Sequence, residues 1–202
     1  MHTTRRTLLR RSLLAAPLLS ADLFAPLLTA AEVSSSSEQW YWYPFHNLTM
    51  KATGSDTGNT TTWMLIENSP HQGVPLHKHL YEDESFFVVS GIFEITVDDK
   101  TTTGGPGTYA YGPRNVPHQW TNMGLGRGQL LNVYTPGGID KFFLAVGIPI
   151  HSSTEQPQVD LAAYDARTKP LREKTGIIRL GPPKYPSRIP EFQVSHGQHR
   201  SF

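Results

Sequence analysis

The chain has 202 residues, no cysteine, nine histidines, and 18 lysines and arginines against 17 aspartates and glutamates. Without cysteine there is no disulfide, thiolate metal ligand or cysteine nucleophile, so any metal must sit on nitrogen and oxygen. The near-balanced charge offers no basic surface for nucleic-acid phosphates, which leaves a small molecule as the expected partner.

At the N-terminus, Arg5, Arg6, Arg10 and Arg11 flank the start of an apolar stretch from Leu13 to Leu28, and Thr29, Ala30 and Ala31 offer small residues for cleavage. This order of basic, apolar and small residues reads as an export signal. Thr4-Arg5-Arg6-Thr7-Leu8-Leu9-Arg10 resembles the twin-arginine motif, an address for proteins exported already folded. Residues 1–31 are therefore assigned to export, with a periplasmic or secreted destination. Pro17, Asp22 and Pro26 interrupt the apolar run, so no stable membrane span is expected.

Residues 32–40, with Ser34 to Ser37, read as a linker. From there, short runs of β-branched and aromatic residues recur between Gly, Pro, Asn and Asp clusters, the pattern of an all-β sandwich or barrel. Strands are expected at Thr60–Glu67, Ser85–Val89, Ile92–Val97, Gly107–Tyr111, Gln119–Asn122, Gln129–Tyr134 and Lys141–Val146. Turn signals such as Asp98-Asp99-Lys100 and Gly104-Gly105-Pro106 fit hairpins, and the spacing leaves no room for parallel crossovers. The barrel is expected over residues 41–150 and a C-terminal extension over 151–181. Within that extension, Val159 to Lys174 carries Leu161, Ala162, Tyr164, Ala166 and Leu171, enough for one amphipathic helix stopped at Gly176 and packed on the barrel exterior. Residues 182–202, rich in Pro, Ser, Gln and His, read as a disordered tail in which His196 and His199 are solvated bystanders.

The informative segment runs from Gly73 to Gly91. On a strand, His77 and His79 project to the same face, where both imidazoles reach one ion. Glu84 follows after a short turn and can add a carboxylate oxygen, while Gly91 permits a tight turn into Ile92. A second segment, Gly107 to Asn122, supplies His118 within another strand and turn pattern. Phe86 and Trp120 lie at even offsets from Glu84 and His118. They are expected on the inner face, as core or as the wall of an apolar substrate pocket.

Here the sequence resembles the cupin superfamily. His77, His79 and Glu84, with Gly91 seven residues after the glutamate, are similar to its first motif; Gly107, Pro113, His118 and Asn122 are similar to its second. The resemblance implies a double-stranded β-helix, the jelly-roll barrel, with a C-terminal helix added here. It also implies that His77, His79, Glu84 and His118 ligate a metal. Glu82 and Asp83 compete as the carboxylate ligand, but only Glu84 keeps the family spacing to both His79 and Gly91. Two departures stand out: three residues rather than five separate Gly73 from His77, and Asn115 replaces a usual glycine. Asparagine tolerates the left-handed backbone that glycine would adopt there.

Blocks at 43–46, 51–58, 83–91 and 135–143 resemble single-domain quercetin dioxygenase-like cupins. That resemblance implies a dioxygenase acting on a flavonol-like or other enol or phenolic molecule, with dioxygen as co-substrate and Glu84 as both ligand and catalytic base. A metal-dependent isomerase and a non-catalytic binding cupin are the alternatives. Three imidazoles and a carboxylate suit Mn, Fe, Co, Ni, Cu or Zn alike. Association into a homodimer follows from the family analogy alone.

Overall fold

A computed structural model describes residues 38–183. The predicted export signal, most of the linker, and the tail from residue 184 onward lie outside the described residues.

The first four strands are β1 (Trp40–Tyr43), β2 (His46–Ala52), β3 (Thr62–Asn68) and β4 (Pro75–His79). Next come β5 (Asp83–Ser90), β6 (Phe93–Val97), β7 (Lys100–Gly104) and β8 (Tyr109–Gly112). The chain continues through β9 (His118–Asn122), β10 (Gly128–Thr135), helix α1 (Asp140–Val146) and β11 (Ile148–Ile150), and ends with helix α2 (Leu161–Lys174) and β12 (Ile177–Pro183). The strands form a seven-stranded sheet in the order β11-β1-β2-β3-β10-β5-β8 and a five-stranded sheet in the order β12-β4-β9-β6-β7. Every strand pair is antiparallel. This is a double-sheet jelly roll: the spacing of short strands and turns predicts an all-β sandwich or barrel, and the resemblance to cupins implies this form of it.

Alternation decides what faces inward. Along β5, Glu84, Phe86 and Val88 are buried while Asp83, Ser85, Phe87 and Val89 are not; along β10, Leu130, Asn132 and Tyr134 are buried. The two runs are adjacent, with Tyr134 opposite Glu84 and Asn132 opposite Phe86. Together with Leu48, Met64, Ile66, Phe93, Ile95 and Trp120 they fill the space between the sheets.

Three local predictions are corrected. Lys141–Val146, expected as a strand, lies within helix α1. Its short apolar run fits either element, and burial of Phe142, Phe143 and Val146 is the helical spacing. Asp140 anchors its start by accepting hydrogen bonds from Gly54 N at 3.0 Å and Thr62 Oγ1 at 2.8 Å. Helix α2 starts and ends close to the expected limits, capped by Asp160, which accepts from Ala162 N and Ala163 N at 2.9 and 3.0 Å. Gly176 follows with φ +82°, the left-handed stop that the sequence suggested. The buried face of α2 is Tyr164, Thr168 and Arg172, not the expected apolar stripe, and Leu161 is exposed. Finally, residues 177–183 form β12 and pair with β4, Ile177 opposite His79 and Arg179 opposite His77. The smaller sheet therefore takes its outer strand from beyond the barrel span read from the sequence, and that strand reaches into the first two residues of the predicted tail.

Candidate metal centre

The site sits where β4, β9 and β5 converge. His77 and His79 leave β4 on the same side, and His118 starts β9 directly opposite His77. Glu84 enters from β5 in the other sheet, after the short crossing 80–82. One ligand atom from each of the four residues lies within 4.8 Å of the others. Glu84 Oε2 is 3.0 Å from His118 Nε2, 3.1 Å from His79 Nε2 and 4.0 Å from His77 Nε2. The second carboxylate oxygen, Oε1, accepts a 2.6 Å hydrogen bond from Asn132 Nδ2, which leaves Oε2 turned to the histidines.

The imidazoles are oriented from behind. His77 Nδ1 lies 2.8 Å from Pro75 O and His118 Nδ1 3.0 Å from Val116 O. A proton on each Nδ1 donated to these carbonyls leaves both Nε2 lone pairs free, the arrangement that a ligating histidine needs. Both ring nitrogens of His79 are buried without a hydrogen-bond partner. A buried unsatisfied nitrogen costs on the order of 1–3 kcal/mol, and a cation bound by Nε2 would remove that cost. The donor set therefore fits a divalent transition metal.

Electrostatics follow the same geometry. Burial alone would raise the Glu84 carboxyl, but its hydrogen bond with His118 and the charge of His79 and His118 outweigh it and hold it well below the usual carboxylate range. Burial, followed by its two histidine neighbours, drives His77 well below the ordinary imidazole value. Both shifts leave the ligand forms, carboxylate and neutral imidazole, in place. Among the rival carboxylates, Asp83 faces out and is bound by Arg114 through Nε and Nη2, each at 3.0 Å. Glu82 stands behind the site, its Oε2 3.8 Å from His79 Nδ1, and burial raises it to about 7. The loop before His118 takes the form expected of a glycine-like turn, with Asn115 at φ +66°.

A cavity of about 680 Å³, counting its opening to solvent, meets this cluster. His77, His79, Trp120 and Tyr134 form its inner end, and Tyr43, Phe142, Phe143 and Val146 line it further along. Trp120 lines the cavity and belongs to the buried core as well. Phe86 does not line the cavity: it is fully buried behind the site, 5.6 Å from the His118 ring and 5.4 Å from Trp120, because its position on β5 faces the middle of the core. Glu84 and His118 also lie behind the cavity wall, which His77 and His79 supply.

Several residues here were not singled out by sequence reasoning. Tyr134 could have been found, since it follows Leu130 and Asn132 at period two on β10. Burial and the adjacent Glu84 carboxylate keep its phenol protonated. His46 was noticed only within a flanking block. It stacks on Tyr43 with ring centroids 5.3 Å apart, lines the cavity, and has neither ring nitrogen hydrogen-bonded. Burial, only partly opposed by Glu84, lowers His46 from 6.5 to about 4. The unfolded chain gains the proton first, so stability is lost as pH falls from 6.5 towards 4. Urea unfolding at pH 7 and pH 5 is expected to show a smaller loss in His46→Phe than in the parent; equal losses would remove His46 from this account.

The family model described as "Cupin domain" matches residues 64–134, a span from within β3 to within β10 that contains all four residues of the cluster. No curated protein matches the chain significantly. Among solved structures, KdgF from Halomonas sp. is similar at 16% identity, covering 50% of this chain and 89% of its own, with a TM-score of 0.46. An RmlC-like cupin from Shewanella frigidimarina gives 17% identity, 52% and 89% coverage, and 0.46. A cupin-superfamily sugar phosphate isomerase from Silicibacter pomeroyi gives 21%, 48%, 71% and 0.41. At such identities and TM-scores these likenesses carry no information on activity.

Proposed function

The chain carries a cupin domain over residues 64–134, and from its site we propose a metal-dependent enzyme, a dioxygenase acting on a flavonol-like or other enol or phenolic small molecule. The observation that carries this reading is the meeting of a four-donor cluster with an apolar cavity, His77 and His79 belonging to both. A structural metal site would be closed on all sides, whereas one facing a cavity leaves coordination positions for exchange.

A divalent transition ion bound there would stabilise negative charge developing on a substrate oxygen. The protein's own groups do the remainder. Glu84 lies behind His77 and His79 as seen from the cavity, but its Oε2 is within 4.0 Å of all three Nε2 atoms, so it would take up the proton of an enol or phenol hydroxyl that reaches in among the imidazoles. Asn132 fixes the carboxylate through Oε1, so the accepting oxygen does not rotate away. Trp120, Phe142 and Phe143 offer ring faces to a flat substrate and exclude water from the reacting carbon. His46 contributes a neutral hydrogen-bonding ring to an otherwise apolar wall. The arginine-led apolar N-terminus supports export of the enzyme.

The test is oxygen uptake with quercetin, using protein stripped of metal and reloaded separately with Mn, Fe, Co, Ni and Cu. Uptake with at least one ion is expected, with a loss of at least 100-fold in Glu84→Gln. Silence with every ion bound would retire the dioxygenase reading for this substrate.

A further inference from the structure

The cavity does not end on apolar residues. Its wall also includes α2 and β12, which bring Arg172 and, opposite His77 on the neighbouring strand, Arg179 to a space otherwise lined mainly by aromatic and aliphatic side chains. Arg172 is only 9% exposed, and its Nε is buried with no hydrogen-bond partner. Both guanidiniums lean on one carboxylate: Asp165 Oδ1 accepts from Arg172 Nη1 at 3.0 Å and from Arg179 Nη1 at 2.9 Å. Two cations against one anion leave a surplus positive charge. The neighbouring charges do not cancel it, since Lys169 and Glu173 pair with each other at 3.9 Å. Burying an arginine whose donors are only partly used is costly, and an anionic ligand would offset that cost with charge-assisted hydrogen bonds.

We infer that the substrate is a flat, largely apolar molecule bearing a carboxylate, with Arg172 and Arg179 receiving that carboxylate while the opposite end lies at the histidine cluster. This deepens the proposed function and rests on the same cavity being the substrate site. It narrows the expected class from enols and phenols in general to aromatic hydroxy acids.

The test compares 6-hydroxy-2-naphthoate with its methyl ester by calorimetric titration, on metal-loaded and on chelator-stripped protein. The acid is expected to bind at least tenfold more tightly than the ester. Arg179→Gln, at a partly exposed position, should cut that preference to threefold or less with an unchanged melting temperature. Arg172→Met should do the same where it remains folded. Equal binding of acid and ester, no binding of either, or a preference that survives Arg179→Gln would overturn the inference. The metal-stripped arm separates the two readings: a preference that persists without any contribution from metal supports the arginine site even if the dioxygenase proposal fails.

Discussion

Replacing His118 with alanine is expected to weaken metal binding by more than ~100-fold, beyond the 10- to 100-fold typical of losing only a residue that orients a ligand. His118 is fully buried, its Nδ1 is committed to Val116 O, and its Nε2 faces Glu84 Oε2 at 3.0 Å. Alanine removes one of the four donors. It also takes from the buried Glu84 Oε2 its nearest imidazole. In metal-free protein, Glu84 then loses part of the stabilisation that is present above the ordinary carboxylate range and fades as pH falls. Competition against a calibrated chelator, with metal content by mass spectrometry and folding checked by circular dichroism, reads both effects. Retention of one equivalent at parental affinity in a folded His118→Ala protein would refute the assignment of this residue as a ligand.

Phe86→Ala should be the most damaging substitution outside the ligands. Phe86 has no exposed surface and touches both His118 and Trp120, so its removal leaves a cavity behind the metal cluster. Such losses run to about 3–5 kcal/mol, which for a chain of this size means a fall of roughly 10 °C or more in melting temperature. Because the ring also props His118, metal affinity should drop alongside stability, whereas Phe86→Leu should retain most of both. A melting temperature within about 2 °C of the parent in Phe86→Ala would be incompatible with the packing described.

The four residues of the cluster were legible through their resemblance to the two cupin motifs, and strand geometry adds a local reason for the histidine pair. His77 and His79 share a face by period two, and Gly91 and Asn115 mark the turns that return the chain, both now seen with positive φ. Inward placement of Phe86 and Trp120 followed from the same alternation, but which of them meets open space depends on depth along the barrel, to which alternation is blind. The cavity's far wall was illegible for a different reason. Arg172 and Arg179 come within reach of His77 only because β12 pairs with β4 across about a hundred residues of chain, and nothing in the composition of 151–183 announces that pairing. Helix α1 was misread because Phe-Phe-Leu-Ala-Val is apolar at every position and so carries neither period.

The division of the donors between the sheets has a mechanical side. His77, His79 and His118 belong to the five-stranded sheet and Glu84 to the seven-stranded one, so a cation held by all four would act as a rivet across the seam of the sandwich. Hydrophobic packing resists separation of the sheets through the body of the barrel, but at the cluster itself the groups that meet across the seam are three imidazoles and a carboxylate, which repay little when they meet each other. The same opening that admits a substrate would thus be the weakest edge of the fold until the rivet is in place, and loading the ion would set the width of the doorway as well as the chemistry behind it.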